Sequence, residues 1–491
     1  MQIPIVEQLT ADPPAPLREA AERLAETLLR EHPELAAGEF RDLVPATLDD
    51  GGALNLDDLS EISQLDPGDD VRFYQDRARL RADDGDLVAS CGDAIDGHEA
   101  YCRDFLGLGS PQWLRPEPPR NGMRIAEACW EDADVRRSLI EKLPSRELSY
   151  VHPHMGTFAV WELAALLHEE TGRPLKVVAP PPRLSRWANN KVAFAETVRR
   201  LFGAEFVPRT ESAWNTAILA KRVQWLAAEA DAIGLKLPDA AGGGGNVVLS
   251  AARLRGKPLA EIEQLLKRAV SVLDWRGERE LLVDVWEADV LCSPSVQWWI
   301  PPERDGAPVV EGIFVQIMEG DEGMFVGTMP AQFPAGVSQE IADRCWLLAR
   351  LFQRLGYVGR CSFDLILIGD DLRNCRMEFI ECNARWGGTS LPMTLMNRIF
   401  GDWKTQPFAV QVFHHIDGLN TVSFADVLDV FRRDLFDVRT RTGSLIFYNP
   451  GRLRHQSGIS SILLGSSWEQ AAGEVRREFS HRLVKLARNV K

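Results

Sequence analysis

The sequence predicts a mixed architecture, in which an α/β domain precedes α+β subdomains arranged around a cleft. Two patterns indicate this fold class. From residue 147, the segments ELSYVHP, 157–169 and LKVVAPPP read as strand, helix and strand, which favours parallel strands joined by a crossover helix. Beyond residue 230, helical segments at 259–272 and 338–355 alternate irregularly with strand-like runs such as VVEGIFVQIMEG.

Length and composition restrict the class of protein. The chain has 491 residues, which exceeds one ordinary hydrophobic core and suggests about three domains. Hydrophobic residues make up 45% and charged residues 26% of the chain, as in soluble globular proteins. The net charge of -15 disfavours nucleic acid or an anionic membrane as the main partner.

Two further features predict a cytoplasmic protein. The eight cysteines are scattered without a CxxC pair, which is typical of reduced thiols rather than of a disulfide or zinc framework. The first residues, MQIPIVEQLTADPP, lack a basic region followed by an apolar segment, and no stretch approaches about 20 uninterrupted apolar residues.

A β-hairpin is predicted near the C-terminal third of the chain. Residues 362–368 and 375–382 are rich in Phe, Leu and Ile, and residues 369–374 between them have turn chemistry. If residues 370–373 form a four-residue loop, the register of the two strands follows directly.

In that register two acids lie close together on one face of the hairpin. Asp364 faces Phe379, Glu381 is a diagonal neighbour of Asp364, and Asn383 follows on the same face. Close acids repel each other unless a cation lies between them, and Mg²⁺ prefers oxygen ligands of these types. We therefore predict metal ligation by Asp364, Glu381 and Asn383. The alternative is a hairpin with a solvated edge, and Glu378, on the opposite face, is expected to be solvated.

Two lysines and a glycine run precede the hairpin. Asn189 or Asn190 can cap a helix that has Lys191 in its first turn, where a cation gains nothing from the helix dipole. Lys236 ends a strand-like run before four consecutive glycines, whose backbone N–H groups can approach a phosphate. The members of this loop are Gly242, Gly243, Gly244 and Gly245, followed by Asn246. The alternatives are a solvated lysine and a flexible hairpin tip.

Other polar residues carry weaker signals. Residues 285–287 can form a link whose backbone and Glu287 carboxylate contact an adenine and a ribose, although a strand with a solvated Glu287 fits equally well. His152 and His154 end a predicted strand of an α/β sheet, where ligands tend to bind. Without a third ligand, we interpret them as polar loop histidines.

The order of these elements, completed by Arg385, resembles the ATP-grasp superfamily. In that family two lysines hold ATP phosphates under a glycine-rich hairpin, an acid meets the nucleoside, and an acid followed by an E-x-N-x-R strand holds Mg²⁺. ECNAR, residues 381–385, fits that strand residue by residue. The resemblance covers about residues 185–400 and implies ATP and Mg²⁺, or Mn²⁺ in its place, as cofactors. It also implies catalytic roles for Lys236 and Arg385.

Within the superfamily, four segments are most similar to peptide ligases of the pheganomycin biosynthetic type: NNKVAFAETVRRLFGAEFVP, CSPSVQWWIPP, VQIMEG with VGTMPAQFP, and RWGGTSLP. This resemblance implies an N-terminal extension and pre-ATP-grasp α/β domain over residues 1–185. An ATP-grasp core over 186–415 and a small C-terminal α+β domain over 416–491 would follow.

The resemblance implies ATP-dependent ligation of a carboxylate to an amine through an acyl phosphate, with release of ADP and phosphate. Small amino acid or peptide substrates in specialised metabolism are expected. Arg385 could offer a fork to the carboxylate or oxyanion. N–H donors could come from Gly387, Gly388 and Thr389, although capping of the next helix by Thr389 or Ser390 is an equal alternative.

Three points stay open at this stage. The base that deprotonates the amine is not identified, and the candidates His414, His415 and His455 also read as ordinary surface or core histidines. The acyl group could pass to a carrier-protein thiol instead of an amine. A nucleotide-binding regulatory protein without chemistry is a third hypothesis, and a homodimer is one assembly that the sequence leaves open.

Overall fold

The computed structural model describes residues 3–62, 71–118, 124–240, 246–277, 279–320 and 323–489. Within these residues the strands form three sheets, of five, four and nine strands. The three sheets follow one another along the chain. Each sheet is therefore formed by one continuous part of the chain. The glycine run 242–245 lies outside the described residues.

The first sheet is parallel, with the strand order β3-β2-β1-β4-β5. Its strands are β1 (Ala53–Leu56), β2 (Leu87–Ala89), β3 (Gln112–Leu114), β4 (Tyr150–Pro153) and β5 (Lys176–Val177). The helices of this part are α1 (Ala15–Glu31), α2 (His98–Asp104), α3 (Ile125–Glu131), α4 (Ala133–Lys142) and α5 (Phe158–Thr171). The predicted strand–helix–strand unit is confirmed as β4, α5 and β5. Helix α1 ends at Glu31, shortly before Pro33, which cannot continue it.

The second sheet is antiparallel, with the order β6-β9-β7-β8. Its strands are β6 (Thr210–Ala213), β7 (Ala232–Lys236), β8 (Asn246–Ser250) and β9 (Leu281–Val285). The helices before and around it are α6 (Pro182–Asn189), α7 (Lys191–Phe202), α8 (Thr216–Ala227) and α9 (Leu259–Ala269). A separate core under this sheet includes Leu219, Leu235 and Leu266. The strands expected on both sides of the glycine run are thus present as β7 and β8.

The third sheet is antiparallel and runs from β15 through β14, β11, β12, β13, β16 and β18 to β17, with β10 beside β14. Its strands are β10 (Val290–Cys292), β11 (Pro294–Ile300), β12 (Val309–Glu319), β13 (Met324–Pro330), β14 (Gly359–Ile368), β15 (Arg376–Asn383), β16 (Phe408–Phe413), β17 (Leu445–Phe447) and β18 (Ile459–Leu464). The accompanying helices are α10 (Ala335–Arg354), α11 (Ser390–Phe400), α12 (Phe424–Phe431), α13 (Arg452–Gln456), α14 (Trp468–Gln470) and α15 (Arg476–Asn489).

Aromatic packing fixes the β14–β15 hairpin against the helices below it. The ring of Phe194 on α7 stacks on Phe363 of β14, with centroids 5.9 Å apart, and Phe202 stacks on Phe379 of β15 at 5.6 Å. A buried Phe side chain stabilises the fold by about 1.5–3 kcal/mol. The opposite face of the hairpin is therefore held in place towards the cleft.

The N-terminal and C-terminal parts of the chain share one hydrophobic core. The Tyr101 hydroxyl of α2 accepts a hydrogen bond of 3.0 Å from the Phe447 backbone N–H of β17, and both side chains are buried. Strands β17 and β18 extend the sheet of the middle segment through β16. The division at residues 185 and 415 stays a prediction. No helix in the described ranges has the length and apolar character needed to cross a membrane.

The buried imidazole of His98 should make folding sensitive to acid. His98 begins α2 and packs against the edge of the Phe424 ring at 5.9 Å, and burial lowers its pKa from 6.5 to about 4. The imidazole therefore binds a proton more strongly in the unfolded chain than in the folded chain. The free energy of unfolding keeps its full value above pH 6.5 and falls as the pH drops from 6.5 towards 4. Between pH 7 and 5 the wild type should lose about 2 kcal/mol more unfolding free energy than His98→Leu.

Denaturant unfolding at the two pH values measures this difference. The matched control is His481→Leu, at an exposed position of α15, which should lose as much stability as the wild type. Equal acid losses in the wild type and in both variants would contradict the assignment to His98.

Candidate active site

The β14–β15 hairpin brings the predicted acids together, but in a different register from the predicted one. Leu365 pairs with Phe379, the register then shifts, and Asp364 pairs directly with Glu381. The prediction that Asp364 faces Phe379 is wrong for two reasons. The strands separate after Ile368, so the turn is longer than four residues, and a bulge at Ile380 adds one residue to β15.

The two carboxylates share a largely buried position. Asn383 donates hydrogen bonds to Asp364 Oδ2 at 2.9 Å and to Glu381 Oε1 at 3.4 Å, and Ser295 Oγ donates to Asp364 Oδ1 at 2.6 Å. Burial, followed by the Glu381 charge, raises the pKa of Asp364 to about 6. Burial opposes ionisation of Glu381, but the charge and hydrogen bond of Lys191, with the charges of Arg385 and Lys236, together lower the pKa of Glu381. The acids therefore repel each other in a place where water screens them poorly.

This set of side chains provides oxygen donors for a divalent cation, with the Asn383 oxygen turned towards Arg385. Asp364, Glu381 and Asn383 lie at adjacent paired positions, and their side chains line one cavity. In the described part of the chain, no group of three or more His, Cys, Asp or Glu side chains could hold a metal ion. The present set contains two carboxylates and one amide, which is the donor chemistry that Mg²⁺ accepts when other oxygens complete its shell.

Both predicted lysines line another cavity, which also contains Asp364 and Glu381 and which we call the lysine cavity. Lys191 is the first residue of α7, and its Nζ lies 2.8 Å from Glu381 Oε2 and 2.7 Å from the Ala240 carbonyl oxygen. Lys236 ends β7, and its Nζ lies 2.6 Å from Asp284 Oδ2. The predicted helix cap is confirmed at Asn190, whose side chain accepts the Val192 and Ala193 N–H groups. The position of Lys191 in the first helical turn is explained by its ion pair with Glu381.

The lysine cavity has a volume of about 330 Å³ and is lined by residues of both the four-stranded and the nine-stranded sheet. Asn246, which begins β8, and Glu287, which follows β9, contribute to its wall. Glu287 pairs with Arg376 of β15 at 2.6 Å. The predicted loop glycines cannot be placed, since residues 241–245 lie outside the described chain.

Glu378 is not the solvated acid that the sequence suggested. The longer turn pairs it with Ile366, on the same face as Asp364, and only 5% of its surface is exposed. Burial, and then the charge of Glu287, raises the pKa of Glu378, and its Oε2 has no hydrogen-bond partner in the described structure. Sequence reasoning missed this residue because the length of the turn, which sets the register of the two strands, has no clear local signal.

Asp284 and Asn189 are two further residues that the sequence interpretation missed. Asp284 is buried on β9 beside Lys236. An acid inside the apolar run LLVDV was the available signal for it. Asn189 accepts hydrogen bonds at Oδ1 from Arg385 Nη1 and from the Ala384 backbone N–H, so α6 holds the end of β15 in place.

Arg385 lies at the boundary of a second cavity of about 350 Å³. Its Nη2 donates to Asn383 Oδ1 at 2.6 Å. Three arginines line this space, which we call the arginine cavity: Arg77, Arg385 and Arg452. The two cavities share Gln316, Met318, Asp364 and Glu381. The acids therefore stand where two binding spaces meet.

The segment before α11 lines the arginine cavity as well, through Gly387, Gly388 and Thr389. Thr389 makes no side-chain cap of the helix, so that alternative is wrong. Ser390 Oγ instead accepts the Gly387 N–H at 2.7 Å, which fixes the turn and leaves Gly388 at the cavity wall.

The histidines have structural positions. His152 and His154 are buried at the end of β4 rather than exposed in a loop, and the His154 carbonyl accepts the Trp386 N–H at 2.9 Å. His414 lines the arginine cavity, but both of its ring nitrogens are engaged, by Arg452 at 2.7 Å and by the Phe325 carbonyl at 3.3 Å. It is therefore not free to accept a proton.

The predicted metal ligands can be tested directly. Glu381→Gln removes one carboxylate from the pair, so we expect the affinity for Mn²⁺, measured by titration in the presence of ADP, to fall at least about tenfold. The unfolding free energy should change by less than about 1–2 kcal/mol, because loss of repulsion with Asp364 offsets loss of the Lys191 ion pair. Glu340→Gln, at an exposed position of α10, is the matched control. Unchanged Mn²⁺ binding in Glu381→Gln would exclude this metal site.

Comparison with known proteins gives the fold a name. No protein-family model matches the sequence, and neither does any curated protein. Solved structures do match. An N5-carboxyaminoimidazole ribonucleotide synthetase in complex with ADP has a TM-score of 0.52 at 12% sequence identity, over 88% of this chain and 97% of that chain.

Two further structures agree with this match. The N5-carboxyaminoimidazole synthase of Aspergillus clavatus, in complex with ADP and 5-aminoimidazole ribonucleotide, has a TM-score of 0.51 at 12% identity, over 89% of this chain and 99% of that chain. The biotin carboxylase domain of the Hydrogenobacter thermophilus 2-oxoglutarate carboxylase, with MgADP and bicarbonate, has a TM-score of 0.50 at 14% identity, over 88% and 90%. Identities this low identify only the fold, and the chain has the ATP-grasp fold.

Proposed function

We propose that this protein is an ATP-dependent carboxylate–amine ligase, which forms an amide bond through an acyl phosphate and releases ADP and phosphate. One observation carries the proposal. Two cavities meet at Asp364 and Glu381, and one is lined by two lysines while the other is lined by three arginines. A nucleotide on one side and a carboxylate on the other would then meet at the metal ligands.

The lysine cavity is proposed to bind ATP. Lys191 and Lys236 are compact charges suited to phosphate oxygens. Each is now held by an acid, Glu381 and Asp284 respectively, so both ammonium groups are already oriented towards the cavity. Asn246 and Glu287 would contact the nucleotide as well, together with the loop glycines that the family resemblance implies. ADP in the complexes of similar fold supports this assignment.

The metal is proposed to bind at Asp364, Glu381 and Asn383. When bound, Mg²⁺, or Mn²⁺ in its place, would neutralise phosphate charge and orient the transferred group. The chain provides the rest of the geometry. Ser295 holds one oxygen of Asp364, and Gln297 in turn donates to Ser295 Oγ at 2.9 Å, so the carboxylate orientation is fixed from behind.

The proposed reaction has two steps. A substrate carboxylate oxygen attacks the γ-phosphorus of ATP, the bond to ADP breaks, and an acyl phosphate forms. The neutral amine then attacks the acyl carbon, phosphate leaves, and the nitrogen loses a proton. Arg385, held by Asn189 and Asn383, would offer N–H donors to the carboxylate and to the developing oxyanion.

We also propose that the substrates are amino acids or peptides, as in pheganomycin-type ligases. It rests on the sequence similarity of segments such as RWGGTSLP. Three of its residues, Gly387, Gly388 and Thr389, line the arginine cavity beside Arg385, where the substrates would react. Several other lining residues are apolar, so the cavity suits a small molecule with both polar and apolar parts.

A hydroxylamine trap tests the reaction class. Incubation with ATP, Mg²⁺ and a panel of carboxylic and amino acids should produce a hydroxamate and ADP only with an acid that is activated. Asp364→Asn should lower hydroxamate formation at least about 100-fold with little loss of fold stability, because the lost ligand acts on the transition state.

Asp402→Asn is the matched control, since Asp402 lines neither cavity and instead caps a short turn and accepts a hydrogen bond from Gln8. Acid-dependent ADP release without hydroxamate would contradict the acyl phosphate. Full activity of Asp364→Asn would contradict the proposed site. Amines and thiols added as acceptors then decide between amide and thioester formation.

A further inference from the structure

The arginine cavity extends beyond the metal ligands to residues that the reaction described above does not use. Its far wall comes from the 3₁₀ helix Val71–Arg81 and from α13, which belong to opposite ends of the chain. Arg77 and Arg452 lie on these two elements, and both line the cavity. Among the described residues that line it, the acids are Asp364 and Glu381, the proposed metal ligands.

Arg452 is a buried cation without a carboxylate partner among the described residues. Only 5% of its surface is exposed, its Nη2 donates to His414 Nδ1 at 2.7 Å, and its Nε has no hydrogen-bond partner. The Phe325 carbonyl lies 3.3 Å from the other ring nitrogen of His414 and fixes the tautomer, so Nδ1 is the acceptor. His414 is therefore a positioning residue for Arg452.

Arg77 stands beside it and is only partly neutralised. Its Nη2 lies 3.2 Å from Asp57 Oδ2, and its guanidinium covers the Tyr74 ring at 4.3 Å. Asp57 also pairs with Arg81 at 2.7 Å, so one carboxylate serves two arginines. The repulsion between Arg77 and Arg452 contributes to lowering the pKa of Arg452, after burial as the main cause.

The neighbouring acids Asp58 and Asp76 do not neutralise the positive charge of Arg77 and Arg452. Asp58 is buried and accepts hydrogen bonds from Ser60 and the Ala126 N–H, and Asp76 pairs with Arg115 at 3.4 Å. A buried cation without an opposite charge costs several kcal/mol. Since no carboxylate among the described residues pairs with Arg452, an anion that enters the cavity would be bound favourably.

We propose that Arg452, together with Arg77, binds a carboxylate of the substrate that does not take part in bond formation. This inference rests on the proposed ligase function and adds to it: one of the two substrates keeps a free carboxylate, as an amino acid or a peptide C-terminus does. Asp57 offers one negative charge to both Arg77 and Arg81, so positive charge remains on Arg77 and Arg452, and the planar arginine fork suits the two oxygens of a carboxylate.

The test compares each active amino acid or peptide with its primary amide at the carboxylate that is not activated, in ADP release and product formation. The wild type should favour the free carboxylate at least about tenfold in kcat/KM. Arg452→Gln should abolish this preference, mainly by raising KM, while the KM for ATP stays unchanged. Arg454→Gln is the matched control, because Arg454 lies in the same helix but is exposed.

A fold control accompanies the comparison. Arg452→Lys keeps the charge without the fork, so it should retain part of the preference, and Arg77→Gln should reduce it even if Arg452→Gln fails to fold. Turnover with equal kcat/KM for acid and amide would overturn the inference and leave the ligase function intact. Preference for a phosphorylated amine over an amino acid would also overturn the carboxylate assignment.

Absence of any turnover would instead count against the ligase function, and binding then tests the anion site by itself. Titration with succinate should show affinity in the wild type and in Arg454→Gln, and at least about tenfold weaker affinity in Arg452→Gln. No binding of succinate to the wild type, or equal binding to Arg452→Gln, would overturn the inference.

Discussion

The repulsion between two buried carboxylates is the constraint on which the cleft depends. Asp364 and Glu381 face each other across β14 and β15, and the fold tolerates them because Lys191 and Asn383 contact them. The ion pair of Lys191 does more than compensate charge. Its second contact, to the Ala240 carbonyl, connects the hairpin of the large sheet to the four-stranded sheet. The Lys191 side chain thus connects the two walls of the lysine cavity.

The N-terminal parallel sheet completes the other cavity. Open parallel sheets bind ligands beyond the carboxyl ends of their strands, and β4 ends there at Pro153. Met155 forms an isolated bridge with Arg385, and the His154 carbonyl accepts the Trp386 N–H. The segment that follows β15, the strand of Glu381, is therefore fixed by backbone contacts next to the parallel sheet. A cleft assembled in this way can set the distance between a nucleotide and a second ligand without relying on loops alone.

The order of elements along the chain was predictable because each element has a local signal. Asn190 before an amphipathic run predicted a capped helix, and acids within apolar strands predicted buried charges at Asp364 and Glu381. Register was not predictable, because it depends on the length of a turn and on one bulge at Ile380. The longer turn placed Glu378 on the face of Asp364 rather than on the expected opposite face. A single extra residue changes which side chains face the cleft, and no periodicity in the sequence reports it.

By itself, the sequence determined which chemical groups the protein has and roughly which strand or helix carries each of them, because propensity, capping and alternation act over a few residues. Only the tertiary structure decided which groups meet. Arg77 and Arg452 are 375 positions apart in the chain and line one cavity. Lys236 on β7 forms an ion pair with Asp284 on the neighbouring strand β9. Such contacts depend on the packing of three sheets, and their energies arise from burial, which has no counterpart in a local segment.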